Sequence, residues 1–583
     1  MNRIFINLAL VTACWTGMSS IANAAEEGTV IYVAKEIITM DANIPKMHNN
    51  VAVADGRIVG IGSLEEMVEL AGDSLSSVDI RFSDKAILPG LIEQHIHPVL
   101  SALTLTTEVI SIEDWELPGG TATAARTHED YIKRLREAEA SLDDPKKPLV
   151  SWGYHDDFHG KLTRADLDAI SDTRPIMIWH RSAHEFLLNT PALKSVGVDA
   201  DLIAAQPQVI KDQVNLAEGR FWEQGFFDFL LTRLMPIIAS PEQLKNGLQL
   251  TANYLHEAGV TTSSEPGGTP AVFYPVQNAV LGDEATPFRF YFIPDGRALA
   301  ANHKGKDLIK ATEDISQGMS GHTAFLPKQV KLFADGAIFS QLMQMKDGYT
   351  DGHEGEWLMD PDNFASAFRT YWDAGYQIHV HQNGDAGLEM VLDVLERNMK
   401  RNPRKDHRTT IVHFGFATEQ QVQRIAALDA IVSANPYYTI ALADRYSKVG
   451  IGPERAEEMV RLGDVAKAGI SFSFHSDMPM APAQPLFLMW SAVNRITPSG
   501  RVAGPDQRIT AEQALRAVTI DAAYSLRLEN EIGSITPGKL ANFTVVEQSP
   551  LEVKPNKIKD IAIWGTVLEG RLQPILSTPS KPN

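Results

Sequence analysis

The chain has 583 residues, of which 44% are hydrophobic and 22% are charged, as in an ordinary folded globular protein. This length exceeds one minimal core, so we expect a large decorated domain with an accessory unit. Acidic residues outnumber basic ones by 73 to 53, the formal net charge is -20, and the sequence contains no basic patch for a nucleic acid or an anionic membrane. The composition excludes a disordered chain and favours a small-molecule partner with no nucleic acid.

Residues 1–24 have the pattern of a secretory signal peptide. A basic start at Arg3 is followed by a short apolar run and by Ala22-Asn23-Ala24, which matches an Ala-x-Ala cleavage site. The apolar run is too short to span a bilayer, and no other run reaches that length, so no membrane span is expected. We expect a periplasmic or secreted protein. The alternative is a lipoprotein anchored at Cys14, because Val11-Thr12-Ala13-Cys14 resembles a lipoprotein cleavage box.

Short β-strands are predicted near both chain ends, within residues 28–87 and 533–575. In the first segment, Asp55-Gly56 is typical of a tight hairpin turn between two strands. Neither group has enough strands to bury both faces of a sheet. The two groups are therefore expected to pair into one composite β-sandwich.

Between these segments, strand-like runs alternate with helical stretches, which predicts a parallel α/β fold over residues 88–532. Eight runs are present, the number that a (β/α)8 TIM barrel requires. The interval 98–259 is too long for one βα unit, so we expect a large inserted subdomain after the first strand. The predicted barrel strands are Ile87–His97, Val260–Glu265, Phe288–Ile293, Val330–Ala334, Tyr376–His381, Thr409–His413, Ala430–Asn435 and Gly469–Asp477.

Histidines and an acid stand at the ends of these predicted strands, where a barrel carries its chemistry. The first run ends in His95-Ile96-His97. Residues i and i+2 of a strand share a face, so these imidazoles are expected about 6 to 7 Å apart, close enough to share one divalent metal. The other candidates at strand ends are His379, His381, His413, His475 and Asp477. For each motif taken alone, the alternative is a set of core histidines whose hydrogen bonds are satisfied. Taken together, the motifs favour a metal site.

Lys331 stands one residue into the apolar run Val330-Lys331-Leu332-Phe333-Ala334. Burial lowers the pKa of a lysine, and the free amine can react with CO₂ to give an anionic carbamate that bridges two cations. The alternative is a core lysine whose head pairs with a carboxylate such as Asp335.

Three segments of the insertion are rich in aromatic residues. Residues 151–158 and 178–184 mix them with histidine and aspartate, which suits either a pocket wall facing the metal or an aromatic core with capped strand ends. Residues 221–231 are apolar enough for a lid or a subunit interface. Packing core is the more ordinary account of all three segments.

In combination, motifs across nearly the whole mature chain resemble the metal-dependent amidohydrolase superfamily, and within it the amidohydrolase-3, YtcJ-like branch that includes N-substituted formamide deformylase. The motifs that carry the resemblance are Pro89-Gly90-Leu91-Ile92-Glu93-Gln94-His95-Ile96-His97-Pro98, Trp152-Gly153-Tyr154, Leu162–Asp168, His184 with Asn189, Val330–Gly336, His381 with Gly384-Asp385, His413, Ser476-Asp477 and Gly533–Phe543.

The resemblance implies two metal sites. One would be held by His95, His97 and Asp477 and the other by His381 and His413, with Lys331, carboxylated, bridging the two ions. Zn²⁺ is the expected cofactor, because imidazole and oxygen ligands suit it, while Mn²⁺, Fe²⁺ or Ni²⁺ suit a similar site with one or two divalent cations.

The chain also departs from the family pattern. The family usually has Asp where Glu93 or Gln94 stands and a carboxylate where Val412 stands, and such neighbouring positions tune metal affinity. The resemblance assigns no role to His379 or His475. It allows a homodimer, although no residue pattern decides the oligomeric state.

The reaction implied by this site is hydrolysis of a C–N bond, in a linear amide or an N-acyl or N-formyl compound, by a metal-activated hydroxide. Asp477 would take the water proton and pass it to the leaving nitrogen, and His184 would stabilise the oxyanion. One alternative is hydrolysis of an ester, a lactone or a cyclic amide by the same site. The other is a non-catalytic secreted barrel with a binding or regulatory role.

Overall fold

The structure is a computed structural model that describes residues 28–44, 48–117 and 120–575. The predicted signal peptide, with Cys14, lies outside the described residues. Within these ranges, no helix has the length and apolar character needed to cross a membrane.

Strands from both chain ends form one seven-stranded sheet. Its N-terminal and C-terminal parts meet where Leu75–Pro89 pairs antiparallel with Phe543–Val546. The predicted hairpin turn is present, with positive φ angles of 49° at Asp55 and 73° at Gly56. In sheet order the strands are Arg571–Pro574, Ile563–Leu568, Phe543–Val546, Leu75–Pro89, Thr29–Ile37, His48–Ala54 and Arg57–Gly62.

This sheet differs from the expected sandwich, because the strands share one hydrogen-bonded sheet rather than two. The pairing of Thr29–Ile37 with Leu75–Pro89 shifts register repeatedly, and such bulges bend and twist a sheet. The curved face brings the ring of Phe82 within 4.9 Å of the ring of Trp564. Helix Leu64–Ala71 covers part of the other face through Met67.

Two parallel sheets in the middle of the chain surround the candidate site. We name their strands in chain order β1 (Leu91–Glu93), β2 (Val260–Pro266), β3 (Arg289–Ile293), β4 (Gln329–Phe333), β5 (Gln377–Gln382), β6 (Thr410–His413), β7 (Ile431–Ala434) and β8 (Phe472–Phe474). One sheet runs from β4 to β8, and the other has the order Thr323–Phe325, β3, β2, β1. Isolated parallel bridges, Ile96 with Met478 and Asp295 with Lys331, link the two sheets.

The expectation of a single strand over Ile87–His97 is wrong. The chain passes from the terminal sheet to β1 at Gly90, where the Cβ of any other residue would collide with Thr261. His95 and His97 therefore lie beyond the end of β1. Likewise, Asp477 follows the end of β8 rather than lying on it.

Helices alternate with the parallel strands, as parallel connections require. Most of their apolar faces contribute to the largest buried cluster of the described residues. The helices that follow β2 are Tyr274–Leu281, Gly296–Asn302, Gly305–Ile315, Pro361–Asp373, Asp385–Arg401, Glu419–Ala427, Tyr437–Tyr446, Pro453–Glu457, Leu462–Lys467, Pro485–Asn494, Ala511–Ala517 and Ile520–Ser525.

The residues between β1 and β2 contain a separate six-stranded sheet. In sheet order its strands are Val214–Asn215, Arg220–Trp222, Glu185–Leu188, Ile176–His180, Leu149–Tyr154 and Glu108–Val109. A short antiparallel pair joins Trp115–Leu117 to Gly120–Ala122. The helices here are Pro98–Leu105, His128–Ala140, Asp156–His159, Arg164–Asp168, Thr190–Ser195, Ala200–Ala204, Gln208–Asp212, Leu231–Ile238 and Pro241–Glu257, with a π-helix at Gly225–Leu230.

Candidate metal centre

One cavity of about 580 Å³ collects the side chains that the sequence singled out. Most come from segments at the carboxyl ends of β1, β5, β6 and β8, which meet at one side of the parallel strands. Lys331 reaches the cavity from within β4. The predicted residues on the cavity wall are His95, His97, His184, Lys331, His381, His413 and Asp477.

Asp477 lies at the centre of this group. Its Oδ1 is 3.5 Å from His95 Nε2 and 3.2 Å from His97 Nε2, and its Oδ2 is 3.6 Å from His413 Nδ1. Ligand atoms of His95, His97 and Asp477 lie within 4.8 Å of one another, a spacing that a shared cation can bridge. His413 and Asp477 have positive φ angles of 74° and 58°. Non-glycine residues in this strained region cluster at functional sites.

Burial keeps the imidazoles of His95 and His413 in the neutral form that binds metals. Burial, and then the positive charge of Lys331, lowers the pKa of His95 well below its usual value. Burial also lowers the pKa of His413. His97 behaves differently: although burial opposes it, hydrogen bonds with Asp477 and Glu265 raise the pKa of His97 to about 9. Because neutral imidazole is the metal ligand, cation binding competes with protonation here.

Lys331 is buried, with 1% of its surface exposed, and its Nζ has no hydrogen-bond partner among the described residues. Burial lowers the pKa of this amine to about 7. Asp335, the alternative partner from the sequence, instead accepts hydrogen bonds from the backbone N–H groups of Gln344, Asn383 and Gly384 at 3.0, 3.0 and 2.7 Å. The expected alternative of a lysine paired with Asp335 is therefore wrong.

His475, which the sequence left without a role, lies directly behind the cavity wall. It is fully buried, and its Nε2 is 3.1 Å from His413 Nδ1. Its Nδ1 is 2.8 Å from Ser433 Oγ, which also accepts a hydrogen bond from Gln94 Nε2 at 2.8 Å. Ligand atoms of His95, His413 and His475 form a second group within 4.8 Å. A buried hydrogen-bonded chain thus runs from Gln94 to His413.

Two buried glutamates support the site and were missed as site residues by the sequence reasoning. Glu93 accepts hydrogen bonds from the backbone N–H groups of Ser476 at 3.1 Å and His95 at 3.3 Å. Burial raises the pKa of Glu93 to about 8. Glu265 Oε1 lies 3.4 Å from His97 Nδ1. An acidic residue near the end of a buried strand was the available signal for both.

His379 and His381 lie on the same strand, β5, but only His381 lines the cavity. The Nε2 of His379 is 2.9 Å from Gln329 Oε1, and burial lowers its pKa to about 3. The Nε2 of His381 is 3.1 Å from Asn383 Nδ2. His379 is thus a satisfied core histidine, the alternative considered for every His-x-His motif.

Inserted residues form an apolar part of the wall of the same cavity. His184 stands on this wall with its Nδ1 3.1 Å from Glu223, and the edge of its ring packs against Phe227 at 5.0 Å. Residues 178–184 and 221–231 contribute rings to this wall, whereas none of residues 151–158 lines the cavity and their Trp152 and Tyr154 are buried core. The apolar residues of this wall are Leu100, Leu103, Trp179, Phe186, Phe226, Phe227, Leu231, Met235 and Ile238.

The donor set fits a divalent metal ion. His95 Nδ1 and Lys331 Nζ are buried and lack hydrogen-bond partners within the described ranges. A buried polar group left unpaired costs about 1 to 3 kcal/mol, so such groups require an explanation. Histidine nitrogens, a carboxylate and a lysine amine whose pKa is lowered by burial are together the chemistry of a cation site.

Solved structures share this architecture. An uncharacterized metal-dependent hydrolase from Pyrococcus horikoshii superposes with a TM-score of 0.68 at 20% identity, covering 90% of this chain and 99% of that chain. The shared architecture is an α/β fold of the TIM-barrel type. Together with the buried histidine and aspartate cluster, it defines an α/β protein of the TIM-barrel type with a candidate metal centre.

Sequence comparison identifies the family within that class. A family model described as "Amidohydrolase family" matches residues 83–573, and the chain belongs to that family. The putative amidohydrolase YtcJ of Bacillus subtilis is 24% identical over 90% of this chain and 95% of its own length. N-substituted formamide deformylase of Arthrobacter pascens is 22% identical over 90% and 94%. These matches confirm the resemblance inferred from the motifs. They also confirm that the protein is a metal-dependent amidohydrolase.

Proposed function

We propose that this enzyme hydrolyses the C–N bond of a linear amide, or of an N-acyl or N-formyl compound. The observation that carries the proposal is the convergence on one cavity of six side chains suited to metal binding, namely His95, His97, Lys331, His381, His413 and Asp477. The named activity of one relative, N-substituted formamide deformylase, supports the choice of bond.

For the metal, the proposed ligands are His95, His97 and Asp477 for one ion and His381 and His413 for a second, with carboxylated Lys331 between them. Zinc is the proposed metal, because it accepts nitrogen and oxygen ligands without redox chemistry, with Mn²⁺, Fe²⁺ or Ni²⁺ as the alternatives. When bound, such an ion supplies Lewis acidity and lowers the pKa of bound water from 15.7 to about 7.

The protein's own side chains move the protons. Asp477 takes a proton from the attacking water and delivers it to the leaving nitrogen, while the water oxygen bonds to the carbonyl carbon and the C–N bond breaks. His184 donates a hydrogen bond to the carbonyl oxygen as negative charge develops there. Both groups line the same cavity.

The apolar wall formed by the insertion selects the substrate. Rings such as Trp179 and Phe226 would bind an apolar or aromatic substituent beside the scissile bond and exclude water from it. A substrate of this kind is therefore an amide with at least one sizeable apolar arm.

The test of this function is a panel of N-formyl and N-acyl amines with aromatic or alkyl arms, offered to the zinc-loaded protein beside matched esters. We expect amide turnover, with Asp477→Asn lowering kcat by roughly 100-fold or more. Asp444→Asn, a substitution away from the cavity, is the control. Turnover of the esters alone would replace the proposal with ester hydrolysis, and turnover of neither would overturn it.

We also propose how the chain is divided and where it works. Residues 28–87 and 533–575 form the terminal β unit, residues 88–532 the barrel, and residues 98–259 the insertion within it. Residues 1–24 are removed on export to the periplasm or the medium. An intact mass beginning at Ala25 would support this export, whereas a lipid on Cys14 would replace it with an anchored lipoprotein.

A further inference from the structure

A second cavity, of about 270 Å³, lies between the insertion and residues 339–342, beside the metal cavity. The two cavities have Ser182, His184, Glu223 and Phe339 in common. Unlike the mainly apolar wall of the metal cavity, the second is lined largely by charged and polar side chains. A chemical group held here would lie next to His184, at the edge of the proposed reaction site.

His155 places a fixed hydrogen-bond donor in this second cavity. It is 4% exposed, and burial lowers its pKa well below the usual value, so its ring is neutral. Its Nδ1 accepts the backbone N–H of Asp157 at 3.2 Å, which leaves the proton on Nε2. That buried Nε2 has no hydrogen-bond partner in the described part of the chain. An unpaired buried N–H group destabilises the fold, so we expect a bound molecule to supply a hydrogen-bond acceptor at this position.

His180 resembles His155, because its Nδ1 also accepts a backbone hydrogen bond. Its Nδ1 accepts the backbone N–H of Ser182 at 3.1 Å, and burial lowers its pKa to about 4. The neutral ring therefore also carries its proton on Nε2. The cavity thus has two neutral imidazoles whose tautomers are set by backbone groups.

Carboxylates outnumber the one guanidinium on the wall of the second cavity, whose charged residues are Asp156, Asp157, Glu185, Glu223 and Arg220. Arg220 pairs with Asp156 at 2.8 Å and with Glu185 at 2.6 Å. Burial raises the pKa of Glu185 to about 7, so its charge is partly lost at neutral pH. The buried oxygens Asp156 Oδ1 and Gln341 Oε1 have no hydrogen-bond partner among the described residues. The cavity therefore offers acceptors beside the donors, and its excess of carboxylates disfavours an anionic group.

We propose that the second cavity is a subsite for an uncharged substrate group that has both a hydrogen-bond acceptor and a donor, such as a primary carboxamide. Its carbonyl would accept from His155 Nε2–H, and its NH₂ would donate to Asp156 Oδ1. The inference rests on the proposed C–N hydrolysis. It describes a substrate with an apolar arm in the metal cavity and a polar arm in the second one.

Three amides with the same scissile bond and apolar arm test this subsite. The other arm ends in a primary carboxamide, an isopropyl group or a carboxylate. We expect kcat/KM for the carboxamide to exceed the other two by roughly 10- to 100-fold. His155→Phe, which keeps a ring and removes the donor, should reduce that preference to about twofold or less. His128→Phe, outside both cavities, should retain it.

A binding measurement separates failure of the subsite from failure of the proposed reaction. Saturation-transfer NMR with propionamide should detect binding to wild type and to His128→Phe, and lose it in His155→Phe. If no amide is turned over but propionamide binds in this pattern, the C–N reaction fails and the subsite stands. Turnover without a carboxamide preference, or no propionamide binding to wild type, would overturn the subsite, even if His155→Phe does not fold.

Discussion

The Nδ1 of His184 lies 3.1 Å from both carboxylate oxygens of Glu223. The pair is also tied through the backbone, because the N–H of Glu223 donates to the carbonyl of His184 at 3.1 Å. Glu223 has a positive φ of 44°, an uncommon conformation for a residue with a side chain. With Nδ1 held by the carboxylate, Nε2 is the nitrogen left to donate to a substrate.

Glu223 should therefore act as a positioning residue for His184. We expect Glu223→Gln to lower kcat by roughly 10- to 100-fold with little change in KM, because an amide holds His184 Nδ1 in place less firmly than the carboxylate does. Glu223→Asp should recover part of kcat. The measurement is a kcat profile against pH for each variant, with the surface substitution Glu218→Gln as control. An unchanged kcat and profile in Glu223→Gln would contradict this role.

The hydrogen-bonded chain behind His413 should tune metal affinity. Replacing His475 with Phe removes the group that orients the His413 ring, so we expect metal binding about 10- to 100-fold weaker. The matched control is His379→Phe, a buried histidine of β5 that bonds to Gln329 instead of the ligand cluster. Competition with a chelator measures both affinities. Equal losses in the two variants would show that His475 acts only through stability.

The insertion should set the preference for apolar substrates. Trp179 lines the cavity and stacks on Phe186 with ring centroids 5.6 Å apart. We expect Trp179→Leu to raise KM several-fold for an amide with an aromatic arm and much less for one with a methyl arm, because apolar contact area is lost. Steady-state kinetics with both substrates provide the measurement. A similar change for both amides would place the aromatic arm elsewhere.

Acid should destabilise the insertion through His159. This residue is fully buried, its Nε2 lies 2.7 Å from the carbonyl oxygen of Ala125, and burial lowers its pKa from 6.5 to about 4. The unfolded chain therefore binds a proton at a higher pH than the folded one. The contribution to the free energy of unfolding is complete above pH 6.5 and is lost as the pH falls towards 4, by up to about 3 kcal/mol.

Urea unfolding at pH 7 and pH 4.5 measures this effect. The His159→Gln variant should lose less stability on acidification than wild type, whereas His303→Gln should behave like wild type. An acid-induced loss in His159→Gln equal to that of wild type would show that other groups carry the pH dependence.

The eight parallel strands could be predicted because buried parallel strands have apolar runs that stand out from the helices between them. The residues at which these strands end could not be predicted, since an apolar run continues past the last hydrogen bond between neighbouring strands. For this reason Asp477 was expected on a strand and instead follows one. The passage between two sheets at Gly90 depends on a close approach to Thr261, which no local pattern encodes.

The residues of the candidate site could likewise be predicted only in part. His95, His97, His381, His413 and Asp477 could be predicted because carboxyl ends of parallel strands meet at one side. His379 and His475 have the same local pattern, yet one bonds to Gln329 away from the cavity and the other to His413. The difference is depth within the strands, which residue spacing alone does not give. The sequence offers Asp335 as a partner for Lys331, but in the structure this carboxylate accepts backbone hydrogen bonds instead.

The central claim is a metal centre held by the six proposed ligands, with Lys331 between two ions. The most direct test is the metal content of the purified mature protein by elemental mass spectrometry, beside Lys331→Met expressed and loaded in the same way. We predict about two equivalents of zinc in wild type and about one or fewer in the variant. No bound metal in wild type under any reconstitution, or equal content in the two proteins, would contradict this centre.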